Sequence, residues 1–251
     1  MSDSGLSRAS FVPAYTPLER VPVPRPVERI AVIKQVCKDR VVLDLGAMDE
    51  TAYIAKKGRG TWLHDEIASV ATEVAGIDSS SILPPNGLRT RQNAMIYAGD
   101  IMALDSWLQF GPKQNQFSPD VIIAGELIEH LQNPLMFLQK LKSIPSLSGK
   151  TLIMTTPNAT AIHNCLIGFV SRESTHHDHL CILSFKTLST LCNRAGFAAW
   201  KIAPYYSQFS EIKARQTGLK RLLVEIGEKV INGLEWAFPM LSFGYIVTIE
   251  I

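Results

Sequence analysis

Short apolar runs alternate with amphipathic stretches along most of this chain, and the two kinds of segment differ in period. The runs at Arg40–Leu45, Glu73–Ile77, Met95–Ala98, Asp120–Ala124 and Lys150–Thr155 are nearly continuous in apolar residues. That is the pattern of strands buried on both faces. Thr61–Ala71 and Pro134–Ser143 carry helical spacing between them, and Val27–Lys38 does so ahead of the first strand through Val27, Ile30, Ile33 and Val36. Phe185–Ala195 predicts a further helix, ended by Gly196 where a left-handed cap is favoured. Phe197–Ile202 and Tyr245–Ile251 predict two more strands. The alternation predicts an α/β fold with a Rossmann-like, seven-stranded, mostly parallel sheet, helices on both faces and the last strand antiparallel.

Residues 1–27 break the pattern. Pro13, Pro17, Pro22, Pro24 and Pro26 prevent regular structure there, so an extended arm or lid is expected. Residues 28–251 read as one domain with a helical insertion at about 207–240. The 251 residues are 46% hydrophobic with a formal net charge of +2, which gives no basic footprint for nucleic acid. Cys37, Cys165, Cys181 and Cys192 are scattered without a CxxC pair, as expected of reduced thiols in a cytoplasmic protein. Asp3 and Arg8 precede no apolar core, so a signal peptide is not expected. No run reaches the ~18 apolar residues of a membrane span. Trp236, Phe238, Met240 and Phe243 read as core or partner packing in preference to a membrane contact.

Chemistry gathers where strands end. Asp44 and Gly46 close the first strand, Asp78 the second, and Gly99-Asp100-Ile101 follow the third. Gly46 would let backbone approach a ligand, and Asp78 could accept from both hydroxyls of a ribose. Each has an ordinary alternative, Asp78 as a helix N-cap and Asp100 as a turn residue. In order at successive strand ends they form the nucleoside pocket of a doubly wound sheet. The fourth strand then delivers Gly125, Glu126, Glu129 and His130 at the same edge.

The series Leu43-Asp44-Leu45-Gly46, Gly76-Ile77-Asp78, Ala98-Gly99-Asp100 and Asp120-Val121-Ile122 resembles class I S-adenosylmethionine-dependent methyltransferases. Thr61-Trp62-Leu63-His64, Gly125-Glu126-Leu127-Ile128-Glu129-His130-Leu131, Thr155-Thr156-Pro157-Asn158, His176-His177-Asp178-His179 and Arg194-Ala195-Gly196-Phe197 resemble a bacterial subgroup found with glycan or natural-product genes. The resemblance covers about residues 30 to 206 and implies S-adenosylmethionine as cofactor. It implies that Asp44 and Gly46 line the methionine end, Asp78 the ribose, Asp100 and Ile101 the adenine, and Gly125 and Glu126 the region near the sulfonium. One departure concerns the turn after the first strand, where Met48, Asp49 and Glu50 stand in place of further glycines.

Glu126, Glu129 and His130 lie at i, i+3 and i+4, so one helical turn would project them to one side, with His179 joining from a later loop. Three readings follow. Glu126, Glu129, His130 and His179 suit a divalent metal, and their positions resemble the ligands of small-RNA 2′-O-methyltransferases. Alternatively His130 or His179 is a metal-free base for an acceptor hydroxyl, since imidazole titrates near working pH. In the third, the acids merely complement a helix start. The metal-free base is adopted because only the four positions match the metal-dependent enzymes. His64 and His163 read as surface or packing histidines, and His176 and His177 as holding a loop over the site.

The expected function is methyl transfer to a small-molecule or glycan acceptor, at oxygen, with no nucleic-acid partner. The alternatives are a catalytically silent cofactor-binding protein and a metal-dependent 2′-O-methyltransferase-like enzyme. A nicotinamide oxidoreductase would need a phosphate-binding glycine turn after the first strand, which is lacking.

Overall fold

The computed structural model describes residues 18–49, 53, 62–113 and 117–251. Pro13 and Pro17 of the expected arm, and most of the turn from Glu50 to Thr61, lie outside these residues. The strands are β1 (Val41–Leu45), β2 (Glu73–Asp78), β3 (Leu88–Arg91), β4 (Ala94–Ala98), β5 (Val121–Gly125), β6 (Thr151–Pro157), β7 (Ala199–Tyr205) and β8 (Gly244–Glu250). They form one sheet in the order β3-β4-β2-β1-β5-β6-β8-β7. Neighbours from β4 through β6 are parallel, while β8 runs antiparallel to both β6 and β7.

The sheet therefore has eight strands where seven were expected. The additional one, β3, reads Leu-Arg-Thr-Arg, alternates between half-buried and exposed positions, and pairs antiparallel with β4 through a bulge at Arg89/Arg91. Charged residues on a short edge strand leave no apolar run to detect, and they also discourage pairing with other chains.

Period-two alternation distributes the core to two faces. Val42, Val74, Val121 and Ile123 pack under α1 (Arg29–Cys37) and α2 (Leu63–Ala68), through Ile33, Cys37, Ile67 and Ala68. Leu43, Ile77, Ile122 and Leu152 pack on the other face, under α3 (Leu104–Phe110), α4 (Pro134–Ser143) and α6 (Phe185–Ala195). A smaller helix, α5 (Ile162–Gly168), follows β6. The ends of these helices are encoded locally. Asn133 caps α4 by accepting from the Met136 N–H ahead of Pro134, and a Ser184–Thr187 capping box opens α6. Gly196 closes α6 at φ +82°, as its position predicts.

Between β7 and β8 lie α7 (Ser210–Ala214) and the 20-residue α8 (Gly218–Ala237). Trp236, Phe238 and Met240 are exposed by 55%, 58% and 41%, so of the expected core or partner packing the core is excluded for them. No helix among the described residues is long and apolar enough to cross a membrane.

Candidate active site

β1 lies between β2 and β5, so the direction of strand succession reverses beside it. In an open α/β sheet that reversal opens a crevice at the carboxyl ends of the strands. Leu45 pairs with Ala124 across it, and Asp78 pairs with Ala98, so the expected acids and glycines share one edge.

Gly46 turns the chain at φ +72°, and a Cβ there would lie 2.9 Å from Leu127 Cδ1. Asp49 also adopts a positive φ, +49°. The missing glycines are thus partly replaced by an aspartate, a residue type that tolerates left-handed backbone better than most. Trp62 donates its indole N–H to the Ala47 carbonyl at 3.0 Å and fixes the turn from above. Asp78 accepts from the backbone N–H groups of Met48 and Ser80, one on each oxygen, both at 2.9 Å. A carboxylate is the group that can accept from ribose hydroxyls. Asp100 is exposed and caps the turn Ile101–Ala103 through the Met102 N–H at 2.8 Å, beside a half-buried Ile101. A tight glycine turn and carboxylates at successive strand ends fit an adenosyl cofactor.

Asp44 has another partner. It is 3% exposed, and its Oδ2 lies 2.8 Å from His64 Nδ1, while His64 Nε2 reaches Thr90 Oγ1 at 3.0 Å. Alternation along β1 puts Asp44 on the face covered by α2, which carries His64. The pair ties β1, α2 and β3 together in the interior. His64 read as a histidine without a partner, because twenty residues separate it from Asp44 and only the fold joins them. His163 is a packing histidine, stacked on Phe243 with ring centroids 5.0 Å apart.

The acid–histidine cluster does not sit on one helical turn. Glu126 takes up φ +52°, and its N–H donates to the Thr155 carbonyl at 3.0 Å. Left-handed backbone at a non-glycine residue is strained, and such strain concentrates at functional sites. A 3₁₀ turn (Ile128–His130) follows, so Glu126 stands outside the turn that carries Glu129 and His130. Glu126 Oε1 accepts from Arg29 Nη1 at 3.0 Å and from the Tyr205 hydroxyl at 2.9 Å. Burial works against the Arg29 charge, but Glu126 more than offsets it and holds the guanidinium above its ordinary pKa. Burial, then Glu126, holds the Tyr205 phenol well above its own, so it stays a donor.

Glu129 is fully buried, and neither of its oxygens has a hydrogen-bond partner; the Thr156 hydroxyl approaches without completing one. Burial, then the Glu126 charge, pushes its carboxyl up to about 8. Its backbone carbonyl accepts from the N–H groups of Leu180 and Cys181 at 2.8 and 3.2 Å, which brings the preceding histidine over the site. His179 Nε2 then lies 4.0 Å from Glu129 Oε1, and its ring centroid 4.6 Å from that of His130. His176 joins them, its centroid 5.9 Å from His130 and 5.6 Å from His179. One nitrogen from each of the three rings lies within 4.8 Å of the others. Burial first, and the neighbouring imidazoles next, lower the pKa of both His130 and His179. Of the four residues expected to meet, Glu129, His130 and His179 do so, Glu126 is held by Arg29 and Tyr205, and His176 enters instead.

A doubly wound sheet with a glycine turn and carboxylates along its crevice is the architecture of a nucleotide-binding α/β protein. The model of the methyltransferase domain matches residues 37–202, more than half of the chain, and the protein belongs to that family. It is an enzyme, a methyltransferase that uses S-adenosylmethionine. No curated protein matches the chain. Among solved structures it is similar to the small RNA methyltransferase HEN1, at 16% identity and a TM-score of 0.53, over 88% of this chain and 24% of that one. It is also similar to a SAM-dependent methyltransferase from Archaeoglobus fulgidus, at 14% identity and TM-score 0.49, over 89% of this chain and 93% of that one. Phosphoethanolamine N-methyltransferase 2 of Haemonchus contortus is similar at 12% identity and TM-score 0.48, over 88% and 52%.

Proposed function

We propose that the protein methylates a hydroxyl of a small-molecule or glycan acceptor, with His130 and His179 receiving the acceptor proton. The observation that carries this is the pair itself: two imidazoles 4.6 Å apart at the sheet edge, both with lowered pKa. A lowered pKa keeps an imidazole neutral at physiological pH, the state that can accept a proton. S-Adenosylmethionine supplies an activated methyl group when bound, so the chain's task is positioning, water exclusion and proton removal. Asp78 would hold the ribose, Asp100 and Ile101 the adenine, and Gly46, Gly125 and Glu126 the methionine end. Asp44 would act indirectly, through His64, on the turn that Gly46 begins. Arg29 and Tyr205 fix Glu126. The subgroup resemblance supports the choice of acceptor class.

A second reading is favoured by Glu129. A buried carboxyl with two unpartnered oxygens beside three imidazoles is suited to a divalent cation. The ligands would be Glu129, His130, His179 and His176 in place of Glu126, and the ion would orient the acceptor hydroxyl.

Alanine variants of His130 and His179, assayed on a panel of hydroxylated acceptors with and without chelator, separate the two. With a metal-free base, each substitution lowers turnover ~10²–10⁴-fold and the chelator has no effect. With a cation, the chelator abolishes turnover and the purified protein carries metal that Glu129→Gln loses. Unchanged turnover in both histidine variants rejects both readings.

A further inference from the structure

The long helix α8 buries acids and exposes much of its apolar surface. Glu228 and Glu235 face the body of the protein beside the half-buried Val224 and Ile231. Glu235 is fully buried and accepts from the Ser207 backbone N–H at 3.0 Å and from its hydroxyl at 2.6 Å. Glu228 accepts from the Phe209 N–H at 2.9 Å and pairs with Lys213 at 2.7 Å. Most of its apolar residues face outward. Leu219, Leu222, Leu223, Ile226, Val230 and Leu234 are between 36% and 72% exposed. At 100° per residue these six fall within one contiguous stripe along the helix. Trp236 and Phe238 at the carboxyl end are also exposed, Trp236 beside the stripe on the Lys229 side with Arg25 over its ring.

We propose that this face docks on the surface of an anionic lipid bilayer. Charge supports that occupant. On the helical projection Lys220 and Lys229 border the stripe on opposite sides, and among the described residues neither makes an ion pair. All three carboxylates of the helix are engaged, Glu225 with Arg221 at 3.0 Å, Glu228 with Lys213, and Glu235 with Ser207. The outward half therefore presents apolar side chains flanked by unpaired cations, which is the arrangement of a helix lying in a membrane interface. Size argues against a second copy. A helix of 20 residues is ~30 Å long and its stripe ~10 Å wide, so a symmetric pair would bury ~600 Å², below the ~1,000 Å² of a specific interface.

Topology gives the contact a consequence. Tyr205 of β7 and Pro157 of β6 flank Gly244 in the sheet, so the chain enters α8 from the edge that carries Glu126 and the histidines. Docking would set the catalytic edge beside the bilayer. The inference goes beyond the proposed reaction, because it does not depend on which acceptor is methylated or on a metal.

The test uses the full chain with vesicles of phosphatidylcholine alone and of phosphatidylcholine mixed with phosphatidylglycerol. Binding is read by co-sedimentation and by tryptophan emission. Trp62, Trp107 and Trp200 are buried and Trp236 is exposed, so an emission shift on binding reports Trp236. The expected result is association with the anionic vesicles and a blue shift that Trp236→Phe removes. Ile226→Glu should lower the bound fraction roughly tenfold or more. Lys220→Glu with Lys229→Glu should abolish the preference for anionic lipid, while thermal midpoint and S-adenosylhomocysteine binding stay at wild-type values in every variant. Failure to bind either vesicle, or binding that neither variant alters, overturns the proposal. So does self-association that Ile226→Glu abolishes in the absence of lipid binding, which would assign the stripe to a second copy.

Discussion

Two buried carboxylates in this molecule are treated in opposite ways. Asp44 has an imidazole partner, and removing it by His64→Ala strands Asp44 in the interior, while Thr90 keeps the Ala94 carbonyl. Breaking such a pair costs ~3–5 kcal/mol. Chemical denaturation should show that loss, and an unchanged midpoint would mean the pair is not structural. Glu129 has no hydrogen-bond partner, only His179 Nε2 at 4.0 Å, and carries a pKa pushed up to about 8. A carboxyl whose folded value exceeds its unfolded value binds the extra proton in the folded state. Its protonated form therefore supports the fold below about 4.5, and that support is lost as pH rises through about 8. In chelator, stability should fall across this window by up to ~5 kcal/mol, and Glu129→Gln should flatten the slope. A wild-type profile parallel to that of Glu129→Gln would show that the site relaxes around the charge. Neither carboxylate was legible as such in the sequence. The strand-end position of Asp44 marked it for a ligand, whereas period-two alternation turns it under α2. Glu126, Glu129 and His130 looked like neighbours on one helical turn, but Glu126 stands before the turn with left-handed backbone and is held by Arg29 and Tyr205.

Helices and strands were legible in proportion to how much apolar surface each commits to the core. The five parallel strands announced themselves as apolar runs, and α6 by its Ser184 and Gly196 ends. β3 was missed because Arg89 and Arg91 give it no apolar run. The insertion at 207–240 was read as helical, but the periodicity of α8 cannot tell an inward stripe from an outward one. That orientation is set by Ser207, Phe209 and Lys213, which hold its acids. The arm is an element-scale question as well. Arg25 donates to the Trp236 carbonyl and its guanidinium lies 4.2 Å over the indole ring, while Val27 bridges to Tyr205 beside Glu126. An arm that passes the site in this way can exclude water from it. Deleting residues 1–20 should therefore lower turnover more than it lowers the thermal midpoint. Equal turnover in the truncated enzyme would make the arm a passive tail.

At the scale of the molecule, the order of the sheet does what no single residue does. It places Gly46, Asp78, Asp100 and Gly125, spread over eighty residues of chain, along one carboxyl edge. This was the part of function most legible from sequence, because acids at the ends of successive parallel strands have few other reasons to recur. The membership of the histidine cluster was less so, since His176 and His179 reach His130 only through the hydrogen bonds from Leu180 and Cys181 to the Glu129 carbonyl. A cofactor held by the folded edge alone must stabilise the whole fold. At a hundredfold excess over its dissociation constant, S-adenosylhomocysteine should add ~2.7 kcal/mol, or ~5–10 °C in thermal midpoint for a chain of this size. Asp78→Asn keeps the shape of the side chain but removes the charge that would receive the ribose hydroxyls. It should weaken binding by ~1.5–3 kcal/mol and shrink the thermal shift in proportion. Since Asp78 also accepts from Met48 and Ser80, the free variant should lose some stability too. The comparison that decides is the ligand-induced shift within each protein. An equal shift in wild type and Asp78→Asn would remove Asp78 from the cofactor site, and calorimetry on the folded wild type showing no heat at millimolar ligand would remove the cradle itself.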